Sequence, residues 1–184
     1  YIVSNETHLN NVRNYLNSHF IQVNDIDLTS YQSGSGWLPI GNKTTPFCGV
    51  YNGNGFRIRN LKIDRPNNND IGLFGVIKGV STTSLSRLID IHVEYVDIVG
   101  NENVGGLLGV IDNNHNTQIL LCSVEGGSVY GKRNLGGLIG AALGTKTGPA
   151  TYSQTDIGSC FTSVNVRYDA HVNNFPNIGG VVGY

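Results

Sequence analysis

The sequence predicts an all-β fold: a parallel, right-handed β-helix of about four to six coils with an N-terminal capping α-helix. The first observation behind this prediction is a short glycine box, which occurs at 71–75 and returns at 103–109, 135–140 and 178–183. The inner glycines of successive boxes lie 34, 31 and 43 residues apart. Self-similarity at a period of roughly 20 to 50 residues is typical of stacked repeats.

The second observation is a largely apolar triplet at positions i, i+3 and i+5, which precedes each glycine box. Its four copies are Ile58/Leu61/Ile63, Leu88/Ile91/Val93, Ile119/Cys122/Val124 and Ile157/Cys160/Thr162. All three positions shift together by 30, 31 and then 38 residues. We therefore expect equivalent side chains of successive coils to stack. The middle members that should form one interior column are Leu61, Ile91, Cys122 and Cys160.

The third observation is the frequency of glycine and asparagine, which occur 25 and 23 times among 184 residues. Both tolerate left-handed backbone conformations, so this composition favours many tight turns between short strands. We predict three short strands in each coil of about 30 residues. At the glycine boxes we expect either a positive φ or an approach of two coils too close for a Cβ atom. The alternative, a phosphate-binding loop, requires a helix after the glycines, whereas 107–111 and 138–140 favour strands.

Residues 1–46 are predicted to form a cap and the first strands, and 47–184 the coils. Without a cap, the first coil would expose its hydrophobic interior. An apolar stripe predicts an amphipathic helix over about 6–17, with Ser4 as its N-cap. The stripe consists of Leu9, Val12, Tyr15 and Leu16. We expect Trp37 to seal the first coil under this helix; the alternative is an exposed indole that stacks on a sugar ring.

The boxes resemble the GLUG-motif repeat, named for its Gly-Leu-(hydrophobic)-Gly core. The matching residues are 72–75, 106–109, 137–140 and 180–183, and 47–56 is similar to the lead-in often found before such repeats. The resemblance covers about 20–184 and implies a parallel β-solenoid. Two departures from regularity are an insertion before Ile178 and Leu121, which stands where Asn60, Asp90 and Ser159 stand in the other coils. Because the last box ends at the penultimate residue, we expect an array truncated at its C-terminus.

Charge is low and balanced, with 12 basic against 13 acidic residues and a net charge of −1. Without a basic excess, the sequence has no electrostatic footprint for nucleic acid. No apolar run approaches the roughly 18 residues that a membrane span requires. We therefore predict no nucleic-acid partner and no membrane span in this segment.

The sequence presents no catalytic, cofactor-binding or metal-binding constellation, so we assign no such residue and expect no cofactor. The five histidines are scattered, and none belongs to a His-Glu-x-x-His motif. One polar position per coil would form an outward ladder of Asn60, Asp90, Leu121 and Ser159, with a single carboxylate. Glycoside hydrolysis generally uses two carboxyl groups about 5 to 9.5 Å apart. The adjoining positions, Lys62, His92 and Ser123, add one candidate base, His92.

Asp25 and Asp27 alternate with apolar residues in a predicted strand, so we expect them to face solvent. A calcium site is the alternative, but calcium takes about six to eight oxygen ligands and two carboxylates supply too few. Cys122 and Cys160 occupy equivalent inward positions, where we favour buried thiols, with Cys48 also free and buried. A disulfide between Cys122 and Cys160 is the alternative, because stacked strands bring equivalent residues within bridging range.

These observations favour a noncatalytic structural or adhesive module of a large secreted bacterial surface protein, placed extracellularly or at the cell surface. Irregular stretches separate the coils at 76–87, 110–118 and 141–156. Such loops emerge on one face of a stack, where we expect a host-cell or glycan ligand near Tyr130 and Tyr152. Neighbouring repeats of the same chain are the other expected partner. The rival hypotheses are a carbohydrate-active β-helix (a lyase, epimerase or hydrolase) and a glycan-binding module.

Overall fold

The computed structural model describes residues 1–79, 85–113, 116–144, 155–169 and 176–184, with all side chains in these ranges except those at 113 and 144. One α-helix, α1 (Glu6–Asn11), and two 3-10 turns, Val12–Asn14 and Thr29–Tyr31, occur in this part of the chain. The strands are β1 (Ile2–Val3), β2 (His19–Gln22), β3 (Ile26–Asp27), β4 (Val50–Asn52), β5 (Arg57–Arg59), β6 (Lys62–Asp64), β7 (Phe74–Ile77), β8 (Ser86–Ile89), β9 (His92–Val99), β10 (Glu102–Gly105), β11 (Leu108–Asn113), β12 (Thr117–Leu120), β13 (Ser123–Gly131), β14 (Arg133–Gly136), β15 (Ile139–Gly144), β16 (Thr155–Gly158), β17 (Phe161–Tyr168) and β18 (Ile178–Gly179).

The strands stack in parallel into a β-solenoid of about four turns, which confirms the predicted fold class. The first wall has the order β1-β2-β4-β8-β12-β16, and the second wall β3-β5-β9-β13-β17 with β6 beside β9. The third wall is β10-β14-β18, and the fourth wall is β7-β11-β15. A complete coil therefore has four strands rather than the predicted three. The difference arises because the glycine box itself folds as two strands, one in the third wall and one in the fourth.

The predicted stacking is confirmed for the second, third and fourth copies of the apolar triplet. One column of paired residues contains Leu88, Ile119 and Ile157, and another contains Val93, Val124 and Thr162. Between these columns, the carbonyl oxygen of Ile91 accepts a hydrogen bond from Ser123 N–H, and that of Cys122 accepts one from Phe161 N–H. Ile91, Cys122 and Cys160 therefore follow one another in the interior.

The predicted register of the first triplet is wrong. Ile58 pairs with Val93 rather than with Leu88, and Ile63 pairs with Ile98. Leu61 consequently lies one corner further along the coil than the column predicted for it.

The reason for this error is that the triplet spacing marks any corner at which one residue is left-handed. The residue at i+2 has a positive φ of 62° at Asn60, 53° at Asp90, 59° at Tyr95, 57° at Leu121 and 53° at Ser159. A left-handed residue turns the chain between two extended segments and leaves the apolar side chains on either side pointing inward. The coil that contains β8 and β9 has two such corners, one at Asp90 and one at Tyr95. Asn60 stacks at the corner of Tyr95, not at that of Asp90.

Of the sets of left-handed residues that recur from coil to coil, two are compared below. We call Asp90, Leu121 and Ser159, between the first and second walls, the outer corner. We call Asp70, Asn103 and Asn134, each two residues before the first glycine of a box, the box corner; their φ values are 60°, 55° and 54°. Aspartate and asparagine are enriched at positive φ, so the sequence of the box corner suits its backbone.

The glycines of the boxes are explained by close approach of coils, not by positive φ. None of the four inner box glycines has a positive φ. A Cβ atom on Gly106 would lie 2.6 Å from the carbonyl oxygen of Gly137 in the next coil, and one on Gly72 would lie 2.8 Å from the backbone nitrogen of Leu108. Gly180 has no atom of the described residues within 4 Å of its Cβ position. The glycines are therefore required where another coil stacks against them.

The N-terminal segment closes the interior at one end of the stack. Helix α1 ends at Asn11 and is shorter than the predicted 6–17, and its N-cap is Asn5 rather than Ser4: the Asn5 side chain accepts a hydrogen bond from His8 N–H. Leu9 and Val12 are fully buried in the main hydrophobic core. These contacts confirm the predicted capping position of the helix.

Trp37 is fully buried, as predicted for a residue that seals the first coil. Its indole Nε1 donates a hydrogen bond of 3.1 Å to the carbonyl oxygen of Leu73. The Arg13 guanidinium lies 5.2 Å from the ring centroid, in the 3-10 turn that follows α1. The alternative of an exposed indole that stacks on a sugar is therefore wrong.

The three cysteines are free thiols. The predicted burial is confirmed for Cys122, and it is wrong for Cys48 and Cys160, which are only partly buried. Cys122 and Cys160 lie in neighbouring coils, and the interaction between their thiols lowers the pKa of Cys160. The same interaction, together with burial, raises the pKa of Cys122.

Candidate functional site

A ladder of side-chain amides runs along the box corner. Asn103 Nδ2 donates to Asp70 Oδ1 at 2.7 Å, Asn134 Nδ2 donates to Asn103 Oδ1 at 2.7 Å, and Asn177 Nδ2 donates to Asn134 Oδ1 at 2.8 Å. Asn103 and Asn134 are buried, with 6% and 8% of their surface exposed. Each amide binds the coil on either side of it, so the ladder joins successive coils. The sequence signal for this ladder is the Asn or Asp that stands two residues before the first glycine of each box, and no prediction was made from it.

The outer corner has no such ladder. The structure stacks Asp90, Leu121 and Ser159, since Asp90 N–H donates to the Leu120 carbonyl oxygen at 2.9 Å and Leu121 N–H to that of Gly158 at 3.0 Å. The fourth member of the predicted polar ladder, Asn60, lies at the corner of Tyr95 instead. At the outer corner the three coils have the same left-handed backbone conformation but different types of side chain.

Asp90 instead belongs to a chain of polar contacts on the outer face of the second wall. Asp90 Oδ1 lies 3.1 Å from His92 Nε2, and His92 Nδ1 lies 2.8 Å from Ser123 Oγ in the next coil. Ser123 Oγ also donates to Glu125 Oε1 at 3.0 Å. A carboxylate, an imidazole and a hydroxyl in series are the groups of a nucleophilic hydrolase. Here, however, only 6% of the surface of Ser123 is exposed.

A pair of carboxylates also stacks on this wall, because Glu94 pairs with Glu125 of the next coil. This pair lies within the second wall rather than at the outer corner, so the predicted polar ladder does not include it. Both oxygens of Glu94 are bound by arginines, Oε1 by Arg57 Nε at 2.6 Å and Oε2 by Arg59 Nε at 2.8 Å. Although burial alone would raise the pKa of Glu94, these hydrogen bonds hold it below the usual range. A general acid needs the opposite shift, so Glu94 is not suited to donate a proton.

Asp25 and Asp27 face solvent, as predicted. Asp25 accepts hydrogen bonds of 2.9 Å from the Arg57 backbone N–H and from Arg59, and Asp27 accepts one of 2.6 Å from the Thr29 hydroxyl. These bonds hold the pKa of both carboxyls below the usual range. Across the described ranges, no group of three or more His, Cys, Asp or Glu side chains is arranged to hold a metal ion.

The connections between coils leave the fourth wall and enter the first wall. Strands β7, β11 and β15 lie in register, as do β8, β12 and β16, so these connections begin and end at one edge of the stack. Tyr130 lies at the end of β13, where the second wall meets the third, on the other side of the coil. It is therefore not near the coil connections as we predicted. Tyr152 lies outside the described residues, as do His115 and His171.

A cleft of about 400 Å³ lies between the N-terminal segment and the first complete coil, and we call it the cap cleft. The side chains of Arg13 and Arg65 line it, together with four asparagines. Leu38, Pro39 and Ile71 provide apolar lining. The asparagines are Asn14, Asn42, Asn68 and Asn69. No pattern in the sequence predicts this cleft, because its residues come from three separate segments, 13–16, 38–45 and 65–71.

A second cleft of about 430 Å³ lies along the amide ladder, and Lys43, Glu102 and Arg133 line it. Its two cations are paired: Lys43 lies 3.4 Å from Asp70 and Arg133 lies 2.9 Å from Glu102. The two clefts follow one face of the stack, since Asp70 lines the cap cleft and is joined to the ladder.

In the described part of the chain, no helix is both long and apolar enough to cross a bilayer.

No protein-family model matches this chain. A provisionally named Gly-rich membrane protein of Evansella cellulosilytica is 43% identical over 122 residues, or 61% of this chain. Halomucin of Haloquadratum walsbyi is 28% identical over 155 residues, or 84% of this chain. This chain spans 14% and 2% of the lengths of these two curated relatives.

Among solved structures, similarity extends to a provisionally assigned immunoglobulin A1 protease of Bacteroides ovatus. The comparison covers 98% of this chain and 83% of that chain. The TM-score is 0.44 and the sequence identity is 16%.

Proposed function

We propose that this chain is a noncatalytic structural and adhesive module of a large secreted bacterial surface protein, and that its repeats are of the GLUG type. The observation that supports the proposal best is the parallel stack, in which each coil covers the face of the coil before it. Stacks of this kind lengthen by adding coils, without rearrangement of the earlier ones. Similarity to parts of much longer proteins, one of them named as a membrane protein, agrees with this role.

The module would act as a spacer and would display its surface to a host-cell or glycan partner. Its polar outer groups mainly bind one another, as in the contacts of Glu94 with Arg57 and Arg59. The edge between the fourth and first walls, where the coil connections begin and end, is a second place for display.

Two measurements test this proposal together. An antibody raised against the chain should label intact cells that produce the parent protein, and the isolated chain should not degrade polyuronates or neutral glycans. Labelling only after the cells are permeabilised would contradict the surface location. Release of reducing ends or unsaturated products would contradict the noncatalytic role.

The second candidate function is a carbohydrate-active β-helix, and the observation that favours it is the stacked pair Glu94 and Glu125 beside His92. The backbones of paired parallel strands lie about 4.8 Å apart, close to the separation of about 5 to 5.5 Å between the carboxyl groups of retaining glycosidases. If this hypothesis holds, turnover is abolished by Glu125→Gln and survives Asp64→Asn, a change of a different carboxylate in the second wall. Absence of turnover by the unaltered chain eliminates it.

A further inference from the structure

We propose that the cap cleft binds a carboxylate-bearing saccharide, through the guanidinium groups of Arg13 and Arg65. This inference deepens the proposed display function and rests on it, since it names the ligand class that the surface module would take.

The first argument is that Arg13 is fixed in place by neutral groups alone. Its Nε donates to the carbonyl oxygen of Asn10 at 2.9 Å, its Nη2 to that of Leu38 at 2.8 Å and its Nη1 to that of Pro39 at 3.4 Å. The Trp37 ring lies under the guanidinium. Of the five N–H groups of a guanidinium, these bonds leave two free for a ligand.

The second argument is that Arg65 is held by the same segment as Arg13, residues 37–39. Its Nε donates to the carbonyl oxygen of Trp37 at 3.3 Å, next to the carbonyls that bind Arg13. Neither arginine has a carboxylate of the described residues within 4.0 Å, whereas Arg57, Arg59 and Arg133 all do. Two neighbouring cations without a counter-ion attract an anion.

The third argument concerns the remaining charges in the cleft. Asp70 is its one acidic lining residue, and its oxygens are already bound by Lys43 at 3.4 Å and by Asn103 at 2.7 Å. Burial lowers the pKa of Arg13, Tyr31 opposes this, and the charge of Arg65 lowers it further. Even so, an arginine stays protonated in proteins. A carboxylate between Arg13 and Arg65 would relieve their mutual repulsion.

The fourth argument selects a saccharide among anions. The asparagines offer both donors and acceptors, which matches ring hydroxyl groups, and the apolar side chains of Leu38 and Pro39 offer a surface for a C–H face. The volume falls within the range of about 300 to 1,000 Å³ that is usual for small-molecule sites. A guanidinium binds a carboxylate with two parallel hydrogen bonds, which explains why arginine suits this role.

The test is calorimetric titration of the full chain with oligogalacturonate and with sialyllactose. The matched neutral probes are methyl-esterified oligogalacturonate and lactose. We expect saturable binding of at least one acidic probe, no binding of its neutral counterpart, and weaker binding as salt is added. Binding of neither acidic probe, or equal binding of acidic and neutral partners, would overturn the proposal. So would binding of a sulfated saccharide in place of the carboxylated ones.

The variant for this test is Arg65→Gln, because Arg65 makes one long hydrogen bond and its loss should leave the melting temperature unchanged. We expect it to bind the acidic probe at least about tenfold more weakly, since a charge-assisted bond is lost. Arg57→Gln, on the second wall, is the control and should bind normally. Unchanged affinity in a folded Arg65→Gln variant would contradict the proposed site. Degradation of the probe would instead contradict the noncatalytic role and leave the site in place.

Discussion

The box corner and the outer corner have the same backbone conformation but different side chains. At the box corner, Asp70, Asn103 and Asn134 are joined from coil to coil by hydrogen bonds of 2.7 Å. At the outer corner, Leu121 occupies a left-handed position with 51% of its surface exposed and has no amide to contribute. The comparison teaches that the left-handed backbone alone tolerates many residues, whereas a hydrogen bond between coils requires a short side chain, Asn or Asp, that can donate or accept it.

The largest effect on stability is expected at a box glycine. Gly106→Val places side-chain atoms against the carbonyl oxygen of Gly137, so the backbone must move. We expect the free energy of unfolding to fall by at least about 3 kcal/mol. Thermal unfolding measures it. Gly180→Val is the matched control, because its Cβ position is open among the described residues. Equal melting temperatures for the two variants would remove our explanation of the box glycines.

The next effect is expected at the amide ladder itself. Asn103→Leu loses two cross-coil hydrogen bonds and forces a branched side chain into a left-handed backbone. We therefore expect the free energy of unfolding to fall by about 2 to 4 kcal/mol. Asn103→Gly keeps the backbone conformation and should cost less. Chemical denaturation of both variants gives the two values. If Asn103→Leu is as stable as the unaltered chain, the ladder does not hold the coils together.

A smaller effect of opposite sign is expected at the outer corner. Leu121→Asn replaces an exposed leucine by a residue that tolerates positive φ, so we expect a gain of about 1 kcal/mol. That gain corresponds to a rise of about 2 to 4 °C in melting temperature for a chain of this size. A lower melting temperature would show that Leu121 makes a stabilising contact and that the two corners are less different than we conclude.

The smallest effect tests whether a charged contact between coils acts like the amide ladder. Arginine bonds lower the pKa of Glu94 in the folded chain, so its contribution is present above its unfolded pKa and lost as the pH falls through the folded value. Exposed pairs contribute less than about 1 kcal/mol. Glu94→Gln should therefore lower the melting temperature slightly at neutral pH and not at low pH. An equal difference at both would contradict the electrostatic origin.

The sequence was sufficient for the fold class, because glycine and apolar positions recur wherever coils stack. It was insufficient for the register of Ile58, since one coil contains the same apolar spacing at two corners. The amide ladder was visible in the sequence as Asn103 and Asn134 before their glycines, but the physical reason for it is a bond across coils. The cap cleft could not be predicted, because Arg13 and Arg65 are brought together by folding alone.

The most direct test of the account is a double-mutant cycle across two coils. Asn103→Gly and Asn134→Gly keep the left-handed backbone and remove the side chains that bond at 2.7 Å. We predict a coupling energy of about 1 kcal/mol for this pair, and less than about 0.5 kcal/mol for Asp90→Gly with Leu121→Gly at the outer corner. Additive effects of the two asparagine changes would contradict the claim that the box corner joins the coils.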